Sequence, residues 1–118
     1  MLFLEYPPCT TCKKAKAWLV AHNAEFTARH IKEENPTAEE LALWQEKSGL
    51  ELKKFFNTSG LVYKDLGLKD KLPTMSRQEQ LDLLASNGML VKRPILVADD
   101  AVLVGFKEDK WAEYFEKA

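Results

Sequence analysis

The stretch "YPPCTTCKKAKAWL", Tyr6 to Leu19, constrains this chain more than any other. It follows "LFLEY" (Leu2 to Tyr6), whose large apolar residues predict a buried first strand, stopped by Pro7 and Pro8. From Thr10 the period changes. Ala15, Trp18, Leu19 and His22 fall on one helical face, with Lys13, Lys14 and Lys16 largely elsewhere. That spacing predicts an amphipathic helix ending near Asn23. "EFTARHI" (Glu25 to Ile31) alternates and is rich in β-favouring residues, which predicts a second strand. Cys9 and Cys12, the two cysteines of the chain, therefore stand where a strand hands over to a helix. A C-x-x-C placed so in a β-α-β unit reads as thioredoxin-like.

Downstream, "NPTAEELALWQEKSG" is a marked helix. Thr37 is its N-cap, Glu39 and Glu40 lie in its first turn, Leu41 and Trp44 face inward, and Gly49 stops it. "LELKKFFNTSGLVYKDLGLKDKLPTM" shows only short helical turns with breaks at Gly60 and Gly67. "SRQEQLDLLASNG" is a second clear helix, capped by Ser76 with Glu79 three residues on and closed by Asn87-Gly88. "MLVKRPILVADDAVLVGF" predicts a β-hairpin of Ile95 to Ala98 and Val102 to Val104, turning at Asp99-Asp100. "KEDKWAEYFEKA" then puts Trp111, Tyr114 and Phe115 on one face of a closing helix. The order is β-α-β, helices, hairpin, helix, an α/β plan in a single domain over 1–118 without repeats or linkers.

Charge and hydropathy narrow the function classes. With 17 basic against 18 acidic residues the net charge is -1, so there is no overall electrostatic case for nucleic-acid or anionic-membrane binding. No apolar run approaches the roughly 20 residues of a membrane span. The start "MLFLEYPP" has no basic region and does not read as a signal peptide. A cytoplasmic location is the expectation. Structural disulfides do not persist there, so two close cysteines point to redox chemistry or metal. Zinc needs about four ligands. His22 and His30 stand too far apart for the usual zinc spacing, and no metal, nucleotide or flavin is expected. A pair of small buried residues is the remaining alternative, against which the placement after strand one argues.

In the dithiol reading, Cys9 lies in the loop and Cys12 in the first helical turn. Unpaired N–H groups and the partial positive charge of a helix N-terminus favour a thiolate there, and Lys13 and Lys14 add to that potential. Cys9, the more exposed, is the expected nucleophile and Cys12 the resolving thiol, with the Thr10-Thr11 backbone tuning the thiolate. In "KRPILV" a proline directly precedes an apolar strand. Thioredoxin-like folds place a cis-proline at this junction, so Pro94 is expected to be cis, which would bring Lys92 and Arg93 towards the cysteines. Arg93 would then stabilise a thiolate or bind an anionic substrate. The alternative is that both are solvated loop charges. "FFNTSG" reads equally as a ligand-facing loop or an ordinary turn. Trp18, Trp44 and Trp111 read as core. His22 and His30 read as surface or strand-edge residues, and Lys53-Lys54 and Lys69 to Lys71 as solvated faces.

Together, "YPPCTTCKKA", "KKFFNTSG", "YKDLGLKDKL", "NGMLVKRPILV" and "VLVGFKE" resemble the arsenate reductase and Spx-type regulator family, nearly end to end. The resemblance implies a thioredoxin-like βαβ…ββα core with a helical insertion, about residues 35–90, between the halves. It also implies a cytoplasmic thiol–disulfide oxidoreductase drawing electrons from glutathione or a thioredoxin or glutaredoxin partner. Its substrate would be a thiol or disulfide protein or a small anion. The glutathione-linked arsenate reductases line their oxyanion site with three arginines. Arg93 matches one; the others align near Asn57 and Gly105, which carry no charge, so arsenate reduction in that style is not implied. The Spx-type regulators use a C-x-x-C as a redox switch, bind the RNA polymerase α subunit rather than DNA, and carry an important glycine near the position of Gly49. They also have a longer basic C-terminal segment than "WAEYFEKA" provides. Enzyme and regulator both remain open.

Overall fold

Four strands and the helices on either side of them carry the architecture in the computed structural model, which describes residues 1–117. β1 (Leu2–Glu5), α1 (Thr10–Ala21) and β2 (Thr27–His30) form a β-α-β unit with parallel strands, Leu2 opposite Thr27 and Glu5 opposite His30. Next come α2 (Ala38–Ser48), α3 (Leu61–Asp65), α4 (Leu68–Lys71) and α5 (Arg77–Ser86). The hairpin strands β3 (Ile95–Val97) and β4 (Val102–Val104) and the helix α6 (Glu108–Lys117) close the described chain. Short 3-10 turns occupy Leu52–Phe55, Leu72–Thr74 and Gly88–Leu90. The sheet order is β2-β1-β3-β4, with β3 antiparallel to both β1 and β4.

Strand alternation sorts the core into two layers. Leu4, Ile95 and Val102 face Leu41, Trp44, Leu81 and Leu84 beneath α2 and α5. Phe3 and Leu96 face the other way, onto Ala15, Trp18, Leu19 and Trp111 of α1 and α6. All three tryptophans are buried, as their helical spacing predicts. The strands are shorter than the alternation suggests. Tyr6 leaves β1 because its N–H turns to the Cys12 sulfur. Phe26, before β2, packs into the second core layer, and Ala98 closes the hairpin turn by donating to the Ala101 carbonyl at 2.9 Å.

Both long central helices start at capping boxes. The Thr37 hydroxyl accepts from the Glu40 N–H at 3.1 Å while Glu40 accepts from the Thr37 N–H at 3.0 Å, and Ser76 and Glu79 repeat the pattern at 3.1 and 2.9 Å. Each such cap contributes about 1 kcal/mol. α2 ends at Gly49 in the left-handed conformation, φ 69°. α3 and α4 are too short to be stable alone. They persist because Tyr63, Leu68 and Leu72 are buried in the larger core.

One tether matters for function. Asn57 N–H donates to the Leu90 carbonyl and Lys92 N–H to the Phe55 carbonyl, both at 2.7 Å, around a bridge between Phe56 and Val91. It pins "FFNTSG" beside the chain entering β3.

Candidate functional site

Cys9 is the N-cap of α1, in extended conformation (φ -73°, ψ 125°), its own N–H donating to the Tyr6 carbonyl at 2.8 Å. Pro7 and Pro8 end β1 just before it, and a helix start immediately after, so its sulfur lies among unsatisfied N–H groups. Burial pushes the Cys9 thiol up. The neighbouring Cys12 N–H and thiol, Arg93 and the Thr11 N–H favour the thiolate and outweigh it, and the net result lies below the ordinary thiol range. Cys12, in the first turn, is fully buried, and its sulfur accepts the Tyr6 N–H at 3.5 Å. Burial pushes the Cys12 thiol up to about 12. The Tyr6 N–H opposes that rise, while the bond and charge of Cys9 add to it. Both cysteines are free thiols, one half-buried at the surface and the other sealed behind it.

A cavity of about 390 Å³ opens at Cys9, lined also by Thr11, Asn57, Ser59, Lys92 and Arg93 among others. The guanidinium carbon of Arg93 sits 5.0 Å from the centre of the Tyr6 ring, and its Nε and Nη1 are buried without a hydrogen-bond partner among the described residues. A half-buried guanidinium with two buried, open donors suits a thiolate or an anionic group. Lys92 and Arg93 thus both reach the cysteine loop. The Arg93–Pro94 peptide is cis. Pro94 is buried and its carbonyl accepts from the Gly105 N–H at 2.8 Å, outside the cavity wall. Thr10 is exposed and does not line the cavity; Thr11 does.

Asn57 and Gly105 flank Arg93 in the cavity, so the site holds one guanidinium, with Lys92 and Lys107 as its other cations. The loop reading of "FFNTSG", undecided in the sequence, resolves in favour of the cavity through Asn57, Ser59 and Gly60. Tyr6, beneath Arg93, and Lys107, in the cavity lining, belong to the candidate site although sequence reasoning passed over them. Tyr6 looks like the end of a strand, and Lys107 like any solvated lysine. The imidazole of His22 stacks on Trp18 at 3.7 Å, and His30 Nδ1 accepts the Lys32 and Glu33 N–H groups. Among the described residues no group of three or more His, Cys, Asp or Glu is placed to hold a metal ion, and no helix is long and apolar enough to cross a membrane.

A dithiol at the β1–α1 turn of a β2-β1-β3-β4 sheet, with helices on both faces, defines a thioredoxin-like protein. The ArsC family model matches residues 4–114, and the chain belongs to the ArsC family. It is 56% identical over 113 residues to the uncharacterized protein YusI of Bacillus subtilis, covering 96% of each chain. It is 36% identical over 106 residues to the regulatory protein MgsR of the same organism, covering 90% of this chain and 82% of MgsR. The crystal structure of an ArsC family related protein from Bacteroides fragilis superposes with a TM-score of 0.93 at 59% identity, covering 95% of this chain and 94% of that one.

Proposed function

We propose that this chain is a thiol–disulfide oxidoreductase working through Cys9 and Cys12. The observation that carries the reading is the asymmetry of the pair: Cys9 at an open cavity with its thiol lowered, Cys12 buried with its thiol raised to about 12. The Cys9 thiolate attacks one sulfur of a substrate disulfide. The substrate S–S bond breaks, one sulfur leaves as thiolate, and a Cys9–substrate disulfide forms. Cys9 thereby loses its negative charge, which removes two of the causes that hold Cys12 protonated. Cys12 then loses its proton and attacks Cys9, releasing the second substrate thiol and leaving a Cys9–Cys12 disulfide. Glutathione or a thioredoxin or glutaredoxin partner, the donors of a reducing cytoplasm, returns the two electrons. Arg93 stabilises the thiolate and the Thr11 N–H assists. A single guanidinium makes a tetrahedral oxyanion the weaker candidate substrate.

The test is the pH dependence of Cys9 alkylation in the reduced protein and in Cys12→Ser. A Cys9 pKa below about 8.5 supports the reading. A normal or raised value with slow alkylation would overturn it.

The 36% identity to the regulatory protein MgsR favours one second reading. In that reading the Cys9–Cys12 dithiol of this chain is a redox switch whose state changes a surface bound by the RNA polymerase α subunit. Pull-down of that subunit under oxidising and reducing conditions separates the two, and retention in neither state sinks the regulator.

A further inference from the structure

Among the described residues β4 pairs with β3 alone, so its outer edge carries no strand. Ala98 donates to the Ala101 carbonyl and Gly105 to the Pro94 carbonyl, which fixes those residues as hydrogen-bonded pairs across the hairpin. By antiparallel alternation, Val102 and Val104 then turn their N–H and C=O groups outward, away from β3. A groove of about 580 Å³ runs along this edge, with Val102, Val104 and Trp111 among its apolar lining.

The groove is electrostatically one-sided. Lys53 and Lys54 line it from the 3-10 turn after α2, Lys107 from just before α6, Lys110 from its first turn, and Lys92 from the approach to β3. Among the described residues no Asp or Glu lines it, although the whole chain carries a net charge of -1. None of these five lysines enters an ion pair among the described residues. Lysines flanking an unpaired edge guard it against pairing with another copy of the same edge. The same charge leaves an acidic strand as the segment that fits. Lys92, Val104, Gly105 and Lys107 line both this groove and the Cys9 cavity, so the two are continuous.

We propose that this groove binds an extended acidic segment of a partner protein, added as a strand to the open edge of β4, and thereby presents that partner's disulfide to Cys9. The presentation rests on the thiol–disulfide reading; the binding does not. Backbone groups of Val102 and Val104 supply the pairing, and the lysines on both sides select acidic side chains. Cys9 attacks the partner's disulfide as above, the S–S bond breaking with its electron pair leaving on the departing sulfur.

The probe is a cysteine-free peptide alternating valine with glutamate, titrated into the reduced, isotope-labelled full chain, beside its glutamine counterpart. Amide shifts centred on Val102 and Val104 are expected, with binding weakened by salt. Lys53→Gln, Lys54→Gln and Lys110→Gln combined should weaken it about tenfold, the sum of three exposed pairs. These three lysines lie outside the Cys9 cavity, so reduction of hydroxyethyl disulfide by the triple variant should equal that of the parent and report its correct folding. Equal binding of the glutamine peptide, shifts away from β4, or equal competition by a single-stranded oligonucleotide of the same charge would each overturn the proposal.

The delivery step is read with both peptides carrying one cysteine as a mixed disulfide with an aromatic thiol. The acidic one should react with Cys9 at least tenfold faster at low concentration. Equal rates overturn delivery while leaving the oxidoreductase reading intact. Failure of hydroxyethyl disulfide and both peptides alike overturns that reading, and the titration still decides the groove.

Discussion

Arg93 stands over the Tyr6 ring, its guanidinium carbon 5.0 Å from the ring centre, while the Tyr6 N–H holds the Cys12 sulfur at 3.5 Å. One residue at the end of β1 therefore positions the cation that serves Cys9 and the donor that serves Cys12. A guanidinium over an aromatic face gains about 0.5–2 kcal/mol, depending on desolvation, which offsets part of the cost of burying two unpaired donors.

Arg93→Met removes that charge while keeping a long apolar stem. Its loss should raise the Cys9 pKa, because a cation that favours the thiolate is gone. Alkylation of Cys9 at neutral pH should slow severalfold, and Arg93→Lys should recover part of the loss. An unchanged alkylation profile would show that the helix N-terminus alone activates Cys9.

Cys12 should be chemically silent in the folded, reduced protein. Peptide mapping after alkylation at neutral pH should find Cys9 modified and Cys12 free, with both modified in denaturant. The raised thiol also links to stability. A group whose folded pKa is raised stabilises below its unfolded value and loses that contribution as pH climbs to the folded one. The stability of the reduced protein should therefore decline from about pH 8.5, the unfolded thiol value, towards about 12. Tyr114, raised to about 12 by its hydrogen bond to Asp100, acts in the same direction above its own unfolded value. Cys12→Ala should flatten the thiol part of the decline in chemical denaturation.

Acid should act through Glu40. Arg29 donates to both its carboxylate oxygens, at 2.7 and 2.9 Å, and with the Thr37 N–H holds that carboxyl below the usual range against the effect of burial. The contribution is present above the unfolded carboxylate value of about 4.3 and is lost as pH falls through the lower folded value. Glu40→Gln should lower stability at neutral pH and give a shallower acid decline. Parallel curves for the two proteins would refute the assignment.

A Cβ at Gly88 would run into the Ile31 carbonyl, a backbone atom that cannot swing aside. Gly88→Ala should cost roughly 2–4 kcal/mol and lower the melting temperature by on the order of 10 °C. Gly49 has open space around it, and only its φ of 69° favours glycine, so Gly49→Ala should cost about 1 kcal/mol. Equal effects at the two sites would mean that the chain relaxes around residue 88.

Where the chain carries its own stop and start chemistry, the sequence was readable. Thr37 with Glu40, Ser76 with Glu79, and the left-handed Gly49 are local signals, and the helices they bound lie where those signals put them. Residues 50–75 resisted reading for the opposite reason. α3 and α4 span only five and four residues, below the length at which periodicity shows, and exist because the core buries Tyr63 and Leu68.

The sequence by itself determined the β-α-β start, the position of both cysteines against the α1 N-terminus and the hairpin that completes the sheet, because each follows from neighbours within a few residues. Only the tertiary structure decided that Asn57 and Ser59 join the Cys9 cavity, that Tyr6 serves Arg93 and Cys12 together, and that five lysines far apart in the chain converge on the β4 edge. Those arrangements come from the tether between Phe56 and Val91 and from two core layers closing on one sheet. They are long-range contacts that no local pattern of residues encodes.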